Sequence, residues 1–215
     1  MSEEEKRAME TEEIQESDDP LTQKPGTLLS WAETLVAAVL AVVLIFLFVA
    51  QLFVVQGPSM QNTLYGGDLV LVLKSYLTGG IKAGDVVVVH SYNADLNDTI
   101  IKRVIATEGQ TVDIDYATGA VYVDGVALEE EYIAERTYTD EGTVFPLTVG
   151  EGELFLMGDN RNHSTDSRST MLGLVDERYV MGKAVFLLFP GRTASYLGEN
   201  TGSGAREFGR IGLID

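Results

Sequence analysis

Thr99-Ile100-Ile101-Lys102-Arg103-Val104-Ile105-Ala106 reads as a β-strand with two cations set in its middle. Alternation puts Ile100, Lys102 and Val104 on one face and Ile101 and Arg103 on the other. Lys102 therefore shares a face with apolar neighbours, as a core side would have. Runs of the same kind surround it. Asp68–Lys74 (DLVLVLK) and Asp85–His90 (DVVVVH) follow Gly-Asp turns. Thr111–Asp115 and Ala120–Asp124 read as a hairpin around Ala117-Thr118-Gly119, and Leu154–Met157 and Val180–Phe189 complete the set. Few segments show a helical period. The expectation is a mostly β fold, an antiparallel sheet or barrel-like domain over residues 56–190.

Upstream the pattern changes. Leu35 to Ala50 is sixteen apolar residues without a break, Gln51 interrupts it, and Leu52–Val55 resumes it. Leu35–Val55 as a helix is about 31 Å long, the thickness of a bilayer's hydrocarbon core. The run has no polar face, so a buried globular helix fits poorly. A cleaved leader fits poorly too, because a long acidic segment precedes an apolar stretch that exceeds a leader's core. The expectation is one retained transmembrane helix over residues 28–55, with Trp31 at an interface. Residues 1–27 hold nine Asp/Glu against Lys6, Arg7 and Lys24 and read as a disordered acidic tail. Lys24 lies before the span, and no Lys or Arg follows until Lys74. The positive-inside rule then makes the tail cytoplasmic and the rest extracytoplasmic. Residues 191–215 are Gly-rich and read as a loose tail.

The net charge of −18 excludes a phosphate-tracking face and so a nucleic-acid partner. The chain has no cysteine, which removes disulfides, thiolate catalysis and cysteine-based zinc sites. His90 and His163 lie far apart without ligand-like spacing, so no metal site is expected.

Three features carry chemistry. A buried Lys102 would lose charge by desolvation, and a neutral amine can act as a general base. A surface lysine on an edge strand is the alternative. Gln56-Gly57-Pro58-Ser59-Met60 sets a serine on a constrained backbone, and serine needs an activating base. His90 could serve, but Lys102 is the stronger candidate. Gly158-Asp159-Asn160-Arg161-Asn162-His163-Ser164-Thr165-Asp166-Ser167-Arg168 is the third. It is either a solvated turn or a loop made rigid by pairing Arg161 and Arg168 with Asp159 and Asp166. Such a loop could aim Ser164 at a buried amine.

Together these features resemble the type I (bacterial, Ser–Lys) signal peptidases over roughly residues 30–190. Ser59–Leu64 resembles the serine box, Lys102–Ile105 the lysine box and Gly158–Arg168 the last box. Gly173, Val175 and Gly182-Lys183-Ala184 fit the C-terminal strand region. The resemblance implies that Ser59 is the nucleophile, Lys102 the base and Ser164 the hydroxyl that orients the lysine amine. It makes Asp159, Arg161, Asp166 and Arg168 a structural polar network. The Ser59 backbone N–H would be one oxyanion donor. Some relatives carry a donor hydroxyl where this chain has Gly57, as many Gram-positive members do. Asn62 stands where proline is usual. About fifty residues between the last two boxes again point to a compact, Gram-positive-like domain.

The implied substrates are exported pre-proteins with Ala-x-Ala-like cleavage sites, with no cofactor or metal. The implied partners are the lipid bilayer and, as a further candidate, the translocation machinery. Two other readings stay open: another Ser–Lys protease, such as a self-cleaving repressor-type domain, and a membrane-anchored scaffold that keeps the fold without activity.

Overall fold

The computed structural model describes residues 26–91, 98–191 and 205–214. The expected disordered tail lies outside these residues apart from Gly26 and Thr27. Contacts divide the chain near Ile45 into a helical unit and a β unit that starts at Phe46.

Helix α1 spans Gly26–Phe48. Its stretch Ser30–Phe48 is 19 residues long and is apolar enough to cross a membrane. Every side chain from Ser30 to Val49 is exposed within the chain, so this apolar surface has no protein partner among the described residues. The helix stops seven residues short of the expected end at Val55. Ala50–Val54 instead forms strand β1, paired residue for residue with β2 (Leu69–Leu73), from Ala50↔Leu73 to Val54↔Leu69. Hydropathy cannot separate an apolar helix from an apolar strand. Pairing with β2 decides it, and Phe53 then packs on the core while Leu52 and Val54 face outward.

The remaining strands are β3 (Val86–His90), β4 (Thr99–Thr107), β5 (Thr111–Asp115), β6 (Ala120–Val123), β7 (Val126–Ala127), β8 (Leu147–Thr148), β9 (Glu153–Met157), β10 (Val175–Asp176), β11 (Val180–Phe189) and β12 (Gly212–Leu213). The large sheet runs β1-β2-β11-β3-β4-β9-β10, with β12 beside β11. The small sheet runs β7-β6-β5-β8. All the pairings are antiparallel.

Strand β3 shows why some of these runs do not alternate. Val86 and Val88 pack into one core cluster with Met60, Leu64, Val70 and Leu187. Val87 and Val89 pack into another with Val104, Leu154 and Leu156. A sheet covered on both faces asks for apolar residues at every position. The same double cover buries both Lys102 and Arg103 on β4, at 4% and 2% exposure. A third cluster joins the sheets through Ile105, Val112, Ile114, Val121, Phe155 and Met157.

The C-terminal segment departs from expectation. Residues 192–204 lie outside the described residues, but 205–214 is ordered against the β unit. Strand β12 pairs with β11 through Phe186↔Leu213 and Leu187↔Gly212. Arg210 donates to both carboxylate oxygens of Asp68, at 3.1 and 2.6 Å, and to Thr63 O at 3.2 Å. Asp68 is fully buried and also accepts from Tyr65 N and Gly191 N. A glycine-rich composition hides this because the order comes from one ion pair and a short strand.

Candidate active site

Topology brings the three motifs together. Ser59 lies in the loop between β1 and β2, and Lys102 lies in β4. The loop Gly158–Arg168 leaves β9, which pairs with β4 at Arg103↔Met157.

Lys102 Nζ lies 2.8 Å from Ser59 Oγ and donates to it. Burial pushes the Lys102 amine down from 10.5 to about 8. The carboxylates of Asp166, Glu141 and Asp159 oppose that shift and the Arg168 guanidinium adds to it, but desolvation wins. At pH 7.5 roughly a quarter of such an amine is neutral, against about one in a thousand for an ordinary lysine. The neutral amine has a lone pair that can accept the Ser59 proton. His90, the other candidate base, bonds instead through Nδ1 to Thr99 Oγ1 at 3.0 Å.

The Gly158–Arg168 loop is rigid, but its pairing differs from expectation. Asp159 pairs with Arg103 through Nε at 2.9 Å and Nη2 at 2.8 Å, not with Arg161. Thr63 Oγ1 also donates to Asp159, at 2.5 Å, and Arg103 lies 4.0 Å above the Tyr132 ring. Arg161 pairs with Glu130, with one bond at 2.8 Å through Nη1, and reaches Gly158 O and Thr137 Oγ1. Arg168 and Asp166 pair as expected, at 2.8 and 2.7 Å, and Gly158 N donates to Asp166 at 2.9 Å. Spacing along a loop cannot reveal partners on other segments. Arg103 was visible beside Lys102, whereas Glu130 sits in a Glu-rich run that looks like surface.

Ser164 also departs from expectation. Its Oγ is buried but makes no hydrogen bond, and among the described residues the hydrogen bond that the Lys102 amine makes is the one to Ser59. Its position is set by Gly158, where a Cβ would collide with Ser164 and come within 2.5 Å of Ser59 O. Only glycine allows the loop to pass this close to the serine. Gly57, two residues before Ser59, has φ +73° and no side-chain hydroxyl to donate, and it provides a backbone bend.

A cleft of about 250 Å³ opens onto Ser59 and Lys102, lined by Phe53–Gln56 and Asp98–Ile101. Both walls are open strand edges. Among the described residues β1 pairs only with β2, and β4 pairs with β9 only from Arg103 onward. No cluster of three or more potential metal ligands occurs among the described residues.

A family model described as signal peptidase, peptidase S26, matches residues 28–189. The chain belongs to the signal peptidase S26 family. A signal peptidase I of Bacillus licheniformis is 33% identical over 81% of this chain and 95% of its own. A probable signal peptidase I-1 of Synechocystis sp. is 40% identical over 78% and 85%. A solved signal peptidase I from Enterococcus faecalis is 29% identical over 48% of this chain and 95% of its own, with a TM-score of 0.39. As an S26 signal peptidase the chain is a membrane-associated serine endopeptidase that cleaves signal peptides. The matched span includes α1 from its third residue, Ser59, Lys102 and the whole Gly158–Arg168 loop. It ends before the ordered segment 205–214.

Proposed function

We propose that Ser59 is the nucleophile and Lys102 the general base of this peptidase. The observation that carries the reading is the 2.8 Å contact between Ser59 Oγ and a buried Lys102 amine whose affinity for protons is lowered. Neutral Lys102 takes the Ser59 proton as Oγ adds to the scissile carbonyl. The resulting oxyanion is met by the Ser59 backbone N–H, which donates no other hydrogen bond among the described residues. Lys102 then passes its proton to the leaving amine, and an acyl-enzyme remains. The amine that leaves is the N-terminus of the mature protein; water, deprotonated by Lys102, then hydrolyses the ester on Ser59 and releases the signal peptide. Ser164, buried beside Gly158, is proposed to receive the amine as it turns from Ser59 during proton transfer.

The substrate is a pre-protein with Ala-x-Ala-like residues before the cut. It lies extended between the open edges of β1 and β4, which supply backbone hydrogen bonds while Phe53, Val55, Ile100 and Ile101 bound shallow apolar pockets. Residues 1–27 are proposed to be cytoplasmic and the β unit extracytoplasmic at the plasma membrane, on the charge pattern flanking α1. The translocation machinery is the natural source of substrate there.

The test is cleavage of an Ala-x-Ala pre-protein by Ser59→Ala and Lys102→Ala chains. Both should fold, insert in membranes and leave the substrate intact. Near wild-type cleavage by either would remove the dyad.

A further inference from the structure

An oxyanion donor works only if its N–H already points where charge will develop. The Ser59 N–H belongs to the peptide joining Pro58 and Ser59, which is trans. In a trans peptide the C=O and N–H point in opposite directions, so fixing the Pro58 carbonyl also fixes the Ser59 N–H.

Two groups hold that carbonyl. Gln61 N donates to Pro58 O at 3.1 Å, a local turn bond within the serine's own loop. Asn160 Nδ2 donates to the same oxygen at 3.1 Å from a segment about a hundred residues away. The Asn160 backbone N–H also donates to Ser59 O, at 3.0 Å, so one residue grips the carbonyls on both sides of the nucleophile. Asn160 is fully buried. Its chain neighbours are both tied down, Asp159 by Arg103 and Arg161 by Glu130. The grip is therefore anchored in the interior of the domain.

We propose that Asn160 is a positioning residue which, by holding the Pro58 carbonyl, aims the Ser59 N–H at the oxyanion of the tetrahedral intermediate. The proposal rests on Ser59 being the nucleophile. It assigns the loop a role in stabilising the transition state, separate from supporting Lys102.

The test uses the full-length chain in lipid vesicles with two variants. Asn160→Ala removes the side chain. Asn160→Asp keeps its shape and the backbone bond to Ser59 O, but its carboxylate cannot donate to Pro58 O. Three quantities are read: kcat and KM on an Ala-x-Ala pre-protein, the acid-side midpoint of kcat/KM, and the inhibition constant of a peptide aldehyde ending in Ala-x-Ala. With the aldehyde, Ser59 Oγ bonds to the carbonyl carbon, the C=O π bond breaks onto oxygen and the Oγ proton passes to Lys102, which places an oxyanion where the donor must meet it.

Each variant should lower kcat by about 10- to 100-fold, less than loss of a whole donor because Gln61 still holds the carbonyl. KM should stay within about twofold, the aldehyde should weaken by the same factor as kcat, and the pH midpoint should not move. Unchanged kcat would overturn the proposal. So would a KM that rises as far as kcat falls, or a pH midpoint that moves with the rate and so places the effect on Lys102. If Asn160→Ala does not fold, Asn160→Asp decides by the same readings. Failure of the dyad itself shows elsewhere, as cleavage by Ser59→Ala or Lys102→Ala, so the two ideas fail separately.

Discussion

Burial of the Lys102 amine costs the fold stability. The amine falls from 10.5 to about 8 on folding. Below pH 8 it is charged in both the folded and unfolded chain, and the folded chain carries the desolvation cost. Between 8 and 10.5 the unfolded chain binds more protons, so stability rises with pH across that window. The neutral-pH cost is about 3 kcal/mol. Lys102→Met should therefore raise Tm at pH 7 while abolishing cleavage, and a melt that falls would show that the amine is held by compensating bonds. Glu141 tunes the same group. Burial raises its carboxyl to about 7, and its charge favours the protonated form of Lys102. Asp166, Arg168 and Asp159 also act on Lys102, and Asp166, Arg168, Lys102 and Asp140 act on Glu141. Glu141→Gln removes one negative charge, lowers the Lys102 midpoint and should shift the acid limb of kcat/KM to lower pH. A shift to higher pH would contradict this. Ser164→Ala should lower kcat by roughly 10-fold with little change in KM, because an aim lost by a fraction of an ångström is costly. Full activity would leave Ser164 as packing alone. The burial of Lys102 was only half legible in the sequence, since its parity in an apolar strand fits a core face but an edge strand with a surface lysine shows the same pattern. The missing Ser164 bond was not, because hydroxyl contacts depend on side-chain geometry that no motif states.

At the scale of elements, the sequence showed the strands best where both faces are buried. The run Val86–Val89 is continuous because each side meets its own core cluster. It concealed β1, which reads as an extension of the membrane helix until β2 is seen beside it. It also concealed the ordered segment 205–214, whose anchor Asp68 lies 142 residues before Arg210. That latch fastens the far end of the loop carrying Ser59, through Asp68 and Thr63 O, while Arg103–Asp159 fastens the same loop through Thr63 Oγ1. Removing one member of such a pair leaves a buried charge without a partner and costs about 3–5 kcal/mol. Arg103→Ala and Arg210→Ala should each lower the unfolding free energy by that order in denaturant titration. Arg210 is the partly exposed member and should lose less. A loss under about 1 kcal/mol for Arg210→Ala would show that the C-terminal segment only rests on the domain.

At the scale of the molecule, a membrane-spanning length of apolar helix is joined to a β unit whose cleft has two open edges. The proposed orientation predicts that protease added to intact spheroplasts reaches the β unit, and shielding of that unit until lysis would reverse it. The central claim is that a neutral Lys102 activates Ser59. The measurement that tests it most directly is kcat/KM on an Ala-x-Ala pre-protein for the vesicle-embedded wild type and Lys102→Met, from about pH 6 to pH 10. The wild type should rise through a single midpoint near 8, the value set by burial of the amine, and Lys102→Met should stay at background throughout. Cleavage by folded Lys102→Met, or a wild-type midpoint near 6.5 that vanishes in His90→Ala, would contradict it.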